Sequence, residues 1–188
     1  MTKVESVHRN DKLWGAVAEA LVAAYALISA RGKLTSYRPF TDVDGKDIII
    51  DLAGGYNDIY VQVKCALGLN GDNRVRGTVR LHKDRIPSDP KLVYIFCLLD
   101  RRKMELARIW VVPSVTFYER AYRTELANRF VQFNFDCRPK GDPRWDEFEV
   151  SRSQLGPRLV ELIKSAERLS ASDSNPGRLS GNWLELVA

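Results

Sequence analysis

The sequence predicts an α/β domain, and three stretches carry that prediction. Residues 13–30 read as one apolar helix. Residues 47–64 read as two strands joined by a tight turn, because a β-branched run leads into Gly-Gly and Asn-Asp and then into alternating residues. Residues 91–99, KLVYIFCLL, are too apolar for a surface strand and are expected at the centre of a sheet.

Composition narrows the class of protein. A chain of 188 residues with 45% hydrophobic residues fits a single globular domain with a real core. Its net charge of +5 and pI near 9.2 modestly favour an acidic partner such as nucleic acid. The three cysteines fit neither a disulfide framework nor a zinc site, and the first residues lack the apolar core of a signal peptide. We therefore expect a cytoplasmic protein.

The first helix is expected to be covered nearly all round. Asp11 or Asn10 can cap its start and Gly32 can end it. Its opposite side is mostly alanine, and a membrane span is disfavoured because alanine contributes little to insertion and a mid-span glutamate is costly. Its large apolar residues recur at helical spacing and are predicted to face the core: Trp14, Val17, Leu21, Tyr25 and Ile28.

Glu19 is the only charged residue in positions 13–30. A buried carboxylate is expensive unless it has a partner, a metal ion or access to a cleft. A salt-bridged or half-exposed glutamate accounts for the pattern equally well.

The second strand of the hairpin has two distinct faces. Ile59, Val61 and Val63 alternate with Tyr60, Gln62 and Lys64, so the latter three share one face. Asp47 stands at the head of the preceding strand. The hairpin therefore carries an acid at the start of one strand and an amide and an ammonium at the end of the next.

The chain thus reads as a mostly apolar helix with one glutamate, a turn, a strand, Asp47 and then Gln62-x-Lys64. This order of elements resembles the PD-(D/E)XK nuclease superfamily. It is most similar to the small prokaryotic branch with archaeal Holliday-junction resolvases and homing enzymes that use Gln-x-Lys. The match covers residues 10 to 66. The resemblance implies a restriction-endonuclease-like α-β-β-β-α-β core, that is, a central mixed sheet flanked by helices, here with a C-terminal helical elaboration.

The resemblance also implies a site that hydrolyses DNA phosphodiester bonds with Mg²⁺ or Mn²⁺. Asp47 matches the motif aspartate, Gln62 the second acidic position, Lys64 the lysine and Glu19 the helix glutamate. Asp47, Gln62 and the main-chain carbonyl of Val63 would then ligate the metal, with Glu19 acting through a water. Lys64 would orient the attacking water or stabilise the developing charge.

Two alternatives remain open at this point. Taken singly, Asp47 is explained as a strand-initiating residue and Lys64 as a solvated lysine. Gln62 replaces a carboxylate, and an amide binds Mg²⁺ more weakly, which also fits a non-cleaving nucleic-acid-binding module. A protein-interaction module is the third hypothesis, and it is based on the apolar C-terminal segment 183–188.

Downstream, residues 74–82 alternate as a strand with one basic face, formed by Arg74, Arg76, Arg80 and His82. Such a face is suited to gripping a phosphate backbone. An edge strand kept soluble by charge explains the same pattern.

The remaining chain predicts a helix from Ser114 to about Asn128 and a last helix over about 153–169. We expect one nuclease-like domain over residues 1–170. Residues 171–188 are expected to form a flexible segment and an apolar tail. A homodimer would suit an enzyme that cuts two strands.

Overall fold

In a computed structural model, the structure describes residues 3–40, 45–55, 57–86, 89–139 and 141–173. The helices are α1 (Lys3–Ala30), α2 (Ser114–Arg120) and α3 (Leu155–Asp173). The strands are β1 (Leu34–Tyr37), β2 (Ile48–Leu52), β3 (Asp58–Ala66), β4 (Val75–His82), β5 (Leu92–Asp100), β6 (Glu105–Pro113), β7 (Tyr122–Glu125), β8 (Phe130–Cys137) and β9 (Glu149–Val150).

A six-stranded mixed sheet forms the centre of the molecule, in the order β1-β2-β3-β5-β6-β9. The pair β3–β5 is parallel and every other neighbouring pair is antiparallel. The apolar strand β5 lies between β3 and β6, as its composition predicts. The central mixed sheet flanked by helices is therefore confirmed.

One face of this sheet packs against α1 and α3 through aliphatic side chains. Ile59, Val61 and Val63 of β3 point to this face, as their alternation predicts. The two helices approach each other closely at Gly156, whose amide donates a hydrogen bond of 2.8 Å to Ser29 Oγ. A Cβ at Gly156 would overlap the carbonyl oxygen of Ala26, so this contact requires glycine.

The other face packs against α2 and a second, three-stranded antiparallel sheet in the order β4-β8-β7. This core is mostly aromatic; Phe96 of β5 stacks on Phe135 of β8 with ring centroids 4.1 Å apart. Strand β4 lies so close to the central sheet that a Cβ at Gly77 would come within 2.6 Å of the Phe96 ring. The crossover from β3 to β5 thus carries β4 and a 3₁₀ turn, Lys83–Arg85, instead of an α-helix.

The buried stripe of α1 differs from the predicted one. Over residues 12–30, whose side chains the structure describes, the buried positions are small residues four apart, Ala18, Val22, Ala26 and Ala30. Ile28, predicted to face the core, is 73% exposed, and Leu13 is 56% exposed. Small side chains let the helix approach both the sheet and α3. Four of the five predicted large residues, Trp14, Val17, Leu21 and Tyr25, pack against the same core while partly buried, so the prediction was wrong for Ile28. The expectation of a helix covered nearly all round was also wrong.

Three predicted helix boundaries are also wrong. Helix α1 starts at Lys3, upstream of the predicted caps, because Asn10 and Asp11 cost a helix interior only a few tenths of a kcal/mol. Helix α2 ends at Arg120 instead of near Asn128, because the following residues pair with β8 as strand β7. Helix α3 continues to Asp173, four residues past the predicted end.

By length and composition, residues Lys12–Ala30 could cross a membrane. Helix α1 packs on the sheet and α3 along one stripe, and 22% of this segment is buried. None of the three cysteines is in a disulfide, yet Cys65 and Cys97 are register partners on β3 and β5. The predicted apolar tail, 183–188, lies outside the described residues.

Candidate active site

The candidate site begins where β2 and β3 meet. The Asp47 amide donates to the Val61 carbonyl at 2.9 Å, which continues the hairpin by one residue before β2. The Val63 amide in turn donates to the Asp47 carboxylate (Oδ2) at 2.7 Å. The structure therefore holds the Asp47 carboxylate against the main chain of the Gln62–Lys64 segment.

Gln62 and Lys64 project from the face of β3 that meets the second sheet. Across the parallel ladder they pair with Tyr94 and Phe96 of β5. Gly45, which has a φ of 67°, approaches the Gln62 side chain so closely that a Cβ would lie 2.5 Å from Nε2. Gly45, two residues before Asp47, therefore packs directly against the Gln62 amide.

Both side chains open into a cleft of about 920 Å³ between the two sheets. Its floor is the central sheet, with Tyr60, Gln62, Lys64, Leu92 and Tyr94, and its wall is the edge strand β4 with Phe130 from β8. Lys46, Lys64 and Arg80 contribute positive charge to the lining, and Asp89 is the acidic residue among its described members. The cleft therefore favours an anionic ligand.

Two tyrosines of the floor stay protonated at neutral pH. Burial and a 2.5 Å hydrogen bond with the Tyr118 hydroxyl raise the pKa of Tyr94 far above its ordinary value. Partial burial and a hydrogen bond to Asp58 raise the pKa of Tyr60, over whose ring the Lys46 ammonium lies at 4.0 Å. Neither hydroxyl is suited to act as a general base.

Glu19 lies on α1, on the opposite side of the central sheet from the second sheet. Its carboxylate forms an ion pair with Arg38, which follows β1, at 3.5 Å. The cleft lining includes neither Glu19 nor Asp47. The structure thus brings Asp47 to Gln62 and Lys64 through the Val63 main chain, whereas the water-mediated role of Glu19 stays a prediction.

The predicted basic strand divides into two parts. Arg74 is tied to Asp136 at 2.5 Å and to Asp142 at 3.3 Å, and its side chain is only 22% exposed. Arg76 pairs with Asp72 at 2.8 Å. Arg80 and His82 line the cleft. The carboxylates around Arg74 stabilise the second sheet, so Arg80 and His82 are the better placed pair for a ligand.

The donor set suits a hard cation such as Mg²⁺. Among the residues that the structure describes, no three His, Cys, Asp or Glu side chains cluster as a metal site. The predicted set instead combines the Asp47 carboxylate, the Gln62 amide oxygen and the Val63 carbonyl, which are all oxygen ligands. The N–H and C=O of a strand residue point to the same side, so the Val63 carbonyl faces the edge where Asp47 lies.

The members of the cleft that sequence reasoning did not predict include Lys46, Tyr60, Tyr94 and Phe130. For Tyr60 a signal was present, because it alternates in phase with Gln62 and Lys64. Tyr94 and Phe130 reach the cleft through the β3–β5 and β4–β8 pairs, whose strands are distant in sequence, and nothing in their own neighbourhood predicts these pairings.

No protein-family model matches the sequence, and no curated protein sequence matches it. The fold is similar to a bacterial homing endonuclease, I-Ssp6803I, at 13% identity and a TM-score of 0.46, over 80% of this chain and 93% of that one. It is also similar to Hjc, a Holliday junction resolvase of the archaeal hyperthermophile Archaeoglobus fulgidus, at 13% identity and a TM-score of 0.37, over 69% of this chain and 95% of that one.

These two structures are of the two kinds that the motif order predicted, a homing endonuclease and a resolvase. At this level of similarity neither says which residues of this chain carry chemistry. The functional conclusion therefore depends on the chain's own residues.

Proposed function

We propose that the protein is a metal-dependent nuclease that hydrolyses DNA phosphodiester bonds. The observation that carries the proposal is the Asp47 carboxylate, held at 2.7 Å on the Val63 amide between Gln62 and Lys64. An acid, an amide and an ammonium on adjoining strands, beside a cleft with a basic lining, are the groups that phosphodiester hydrolysis needs.

Each residue has a distinct part in this proposal. Asp47, Gln62 and the Val63 carbonyl would hold Mg²⁺ or Mn²⁺, and Glu19 would act through a water. A bound divalent cation neutralises phosphate oxygens and lowers the pKa of a water. Lys64 orients the attacking water or donates to the developing charge. Arg80 and His82 position the phosphate backbone, with Arg76 as an outer contact.

The test is cleavage of branched, single-stranded and double-stranded DNA by the purified protein with Mg²⁺, Mn²⁺ or EDTA. Asp47→Asn keeps the shape of the side chain and removes its charge, and Lys64→Ala removes the ammonium. We expect each to lower the cleavage rate by about 10²-fold or more. Glu161→Gln and Lys103→Ala, at exposed positions away from the cleft, serve as matched controls and should cleave like the wild type.

A non-cleaving DNA-binding module is the second candidate, and one observation favours it. The amide of Gln62 stands where a second carboxylate would strengthen metal binding. This candidate predicts salt-dependent DNA binding that needs no metal, together with no cleavage in any of the reactions above. Cleavage by the wild type that Asp47→Asn abolishes would exclude it, whereas equal cleavage by Asp47→Asn would exclude the nuclease site.

The cytoplasmic location stays a prediction. A homodimer stays a prediction, which light scattering of the purified protein would test.

A further inference from the structure

Two cysteines meet in the central sheet, one residue beyond Lys64. Cys65 of β3 and Cys97 of β5 are direct register partners in the parallel pair of strands. Neighbouring strands of a sheet are about 4.8 Å apart, and the Cα atoms of a disulfide are about 4.4–6.8 Å apart. The sheet therefore holds the two backbones at a separation that a disulfide can bridge.

The side chains of both cysteines lie on the same face of the sheet. Cys97 is a buried member of the aliphatic core under α1 and α3, and Cys65 packs against that core while partly buried. A hydrogen bond to the Cys65 thiol, together with burial, raises the pKa of Cys97 well above its ordinary value. The two thiols are therefore in contact, and neither is in a disulfide.

The three cysteines differ in access to solvent. Cys97 is fully buried, whereas Cys65 is partly exposed near the end of β3. A small oxidant can therefore reach the Cys65 sulfur, whereas the core shields the Cys97 sulfur. Cysteines that respond to oxidants are accessible and have a second cysteine beside them. Cys137 has neither property, because it is fully buried and its register partner is Val75.

We propose that Cys65 and Cys97 form a dithiol that a peroxide oxidises reversibly to a disulfide, with Cys65 reacting first and Cys97 resolving the intermediate. When the O–O bond of hydrogen peroxide breaks, the Cys65 sulfur keeps one hydroxyl as a sulfenic acid, and its hydrogen leaves with the other hydroxyl as water. The Cys97 sulfur then displaces the sulfenic hydroxyl, which leaves with the Cys97 hydrogen as a second water. Two thiols are oxidised and one peroxide is reduced.

The resolving step gives this pair a protective part. A sulfenic acid that meets no second thiol is oxidised further to sulfinic and sulfonic acids, and these products are not reduced by thiols. A disulfide, in contrast, is returned to two thiols by exchange with a reductant. Cys97 thus keeps β3, the strand that carries Gln62 and Lys64, free of permanent oxidation.

Mass spectrometry of the purified protein tests this without DNA, so the result is independent of the proposed nuclease function. The reduced protein is treated with hydrogen peroxide under native conditions, and the remaining thiols are alkylated in denaturant. Trypsin places the two cysteines in separate peptides, residues 65–74 and 92–101. We expect these two peptides to be joined, the intact mass before alkylation to fall by about 2 Da, and dithiothreitol to reverse both changes.

Three variants separate the parts of the two cysteines. Cys97→Ala removes the resolving thiol, so Cys65 should gain one oxygen, which dimedone captures, and then further oxygens in excess peroxide. Cys65→Ala removes the accessible thiol from a partly exposed position and should leave Cys97 unoxidised. Cys137→Ala is the matched control, because it removes a buried cysteine outside the pair, and it should form the disulfide as the wild type does.

Three results would overturn the proposal. They are sulfinic acid at Cys65 of the wild type instead of the joined peptides, a disulfide that joins two molecules, and oxidation of Cys97 in the Cys65→Ala protein. The wild type and Cys65→Ala decide the question even if Cys97→Ala, a substitution in the core, is too unstable to purify.

Discussion

The two faces of the central sheet are built in opposite ways. On the helix side, every buried member of the described core is aliphatic or a cysteine, and α1 and α3 close over it. On the other side the core is mostly aromatic, and a second sheet of only three strands covers six. That partial cover leaves the Gln62 and Lys64 end of β3 open as a cleft. Strand β3 thus supplies both a closed packing surface and a surface that opens into the cleft.

The largest change in stability is expected at Gly156, where α3 packs most closely against α1 on the helix side of the sheet. Gly156→Ala would place a Cβ in overlap with the Ala26 carbonyl oxygen and 2.5 Å from the Ala30 amide nitrogen. These are backbone atoms of α1 and cannot move aside as a flexible side chain would. We expect the free energy of unfolding to fall by about 1–3 kcal/mol in urea denaturation.

Gly15→Ala is the matched control for this variant. Gly15 lies in α1, and an alanine Cβ at this position would meet no other atom within 4 Å, so the substitution should raise stability by up to about 1 kcal/mol. A Gly156→Ala protein as stable as the wild type would show that α1 and α3 are packed less closely than this contact indicates.

Effects of intermediate size are expected for two arginines on the open side of the sheet, one on stability and the other on DNA binding. Arg74→Ala removes the partner of Asp136 and Asp142 and should cost about 1 kcal/mol of stability. Arg80, which lines the cleft, is expected to contact phosphate instead. Arg80→Ala should therefore weaken DNA binding and lower the slope of log affinity against log salt by about one, with stability nearly unchanged.

Fluorescence anisotropy at several salt concentrations and urea denaturation measure these two quantities on the same proteins. If Arg74→Ala changes the salt slope and Arg80→Ala does not, the assignment of the two arginines is reversed.

Local patterns were enough to predict the parts of the fold that depend on alternation. Strands β3 and β4 follow from a period of two, β2 from a β-branched run that ends in turn residues, and the buried strand β5 from a continuous apolar run. The same alternation placed Gln62 and Lys64 on one face, and the structure directs both into the cleft. The position of Asp47 next to them follows from the hairpin register.

What the sequence did not predict depends on contacts between distant residues. The second sheet forms by pairing β4 with β8, whose register partners are about 50 to 60 residues apart in the chain. The inward face of α1 is selected by how closely Ala18, Val22 and Ala26 let it approach its neighbours, whereas a pattern of large apolar residues cannot report that. The meeting of Cys65 and Cys97 likewise requires the parallel register of β3 and β5.

The smallest change in stability is expected from breaking an ion pair at the start of β3. There the Lys91 ammonium lies 3.1 Å from the Asp58 carboxylate. Partial burial alone would raise the pKa of Asp58, but hydrogen bonds from Lys91 and Tyr60 outweigh it and hold that pKa below its ordinary value. The hydrogen bond to Asp58 raises the pKa of Lys91. The pair orders the edge of the cleft floor beside Tyr60.

The directions of the two pKa shifts define the pH range over which this ion pair stabilises the fold. A lowered carboxyl pKa gives stability that is present above the unfolded value of 3.8 and is lost as the pH falls through the folded value. A raised lysine pKa gives stability that is present below the unfolded value of 10.5 and is lost as the pH rises through the folded value. Between these limits, solvent screening of the half-exposed side chains keeps the contribution to about 1 kcal/mol or less.

Asp58→Asn should therefore lower the free energy of unfolding at neutral pH. In strong acid and in strong base, the variant and the wild type should be equally stable. Urea denaturation of both proteins across that pH range measures it, and Asp72→Asn, in an exposed pair with Arg76, is the control. A difference that stays constant with pH would mean that Asp58 acts through shape or hydrogen bonding alone. The open side of the sheet would then be stabilised by its aromatic core and not by this charge pair.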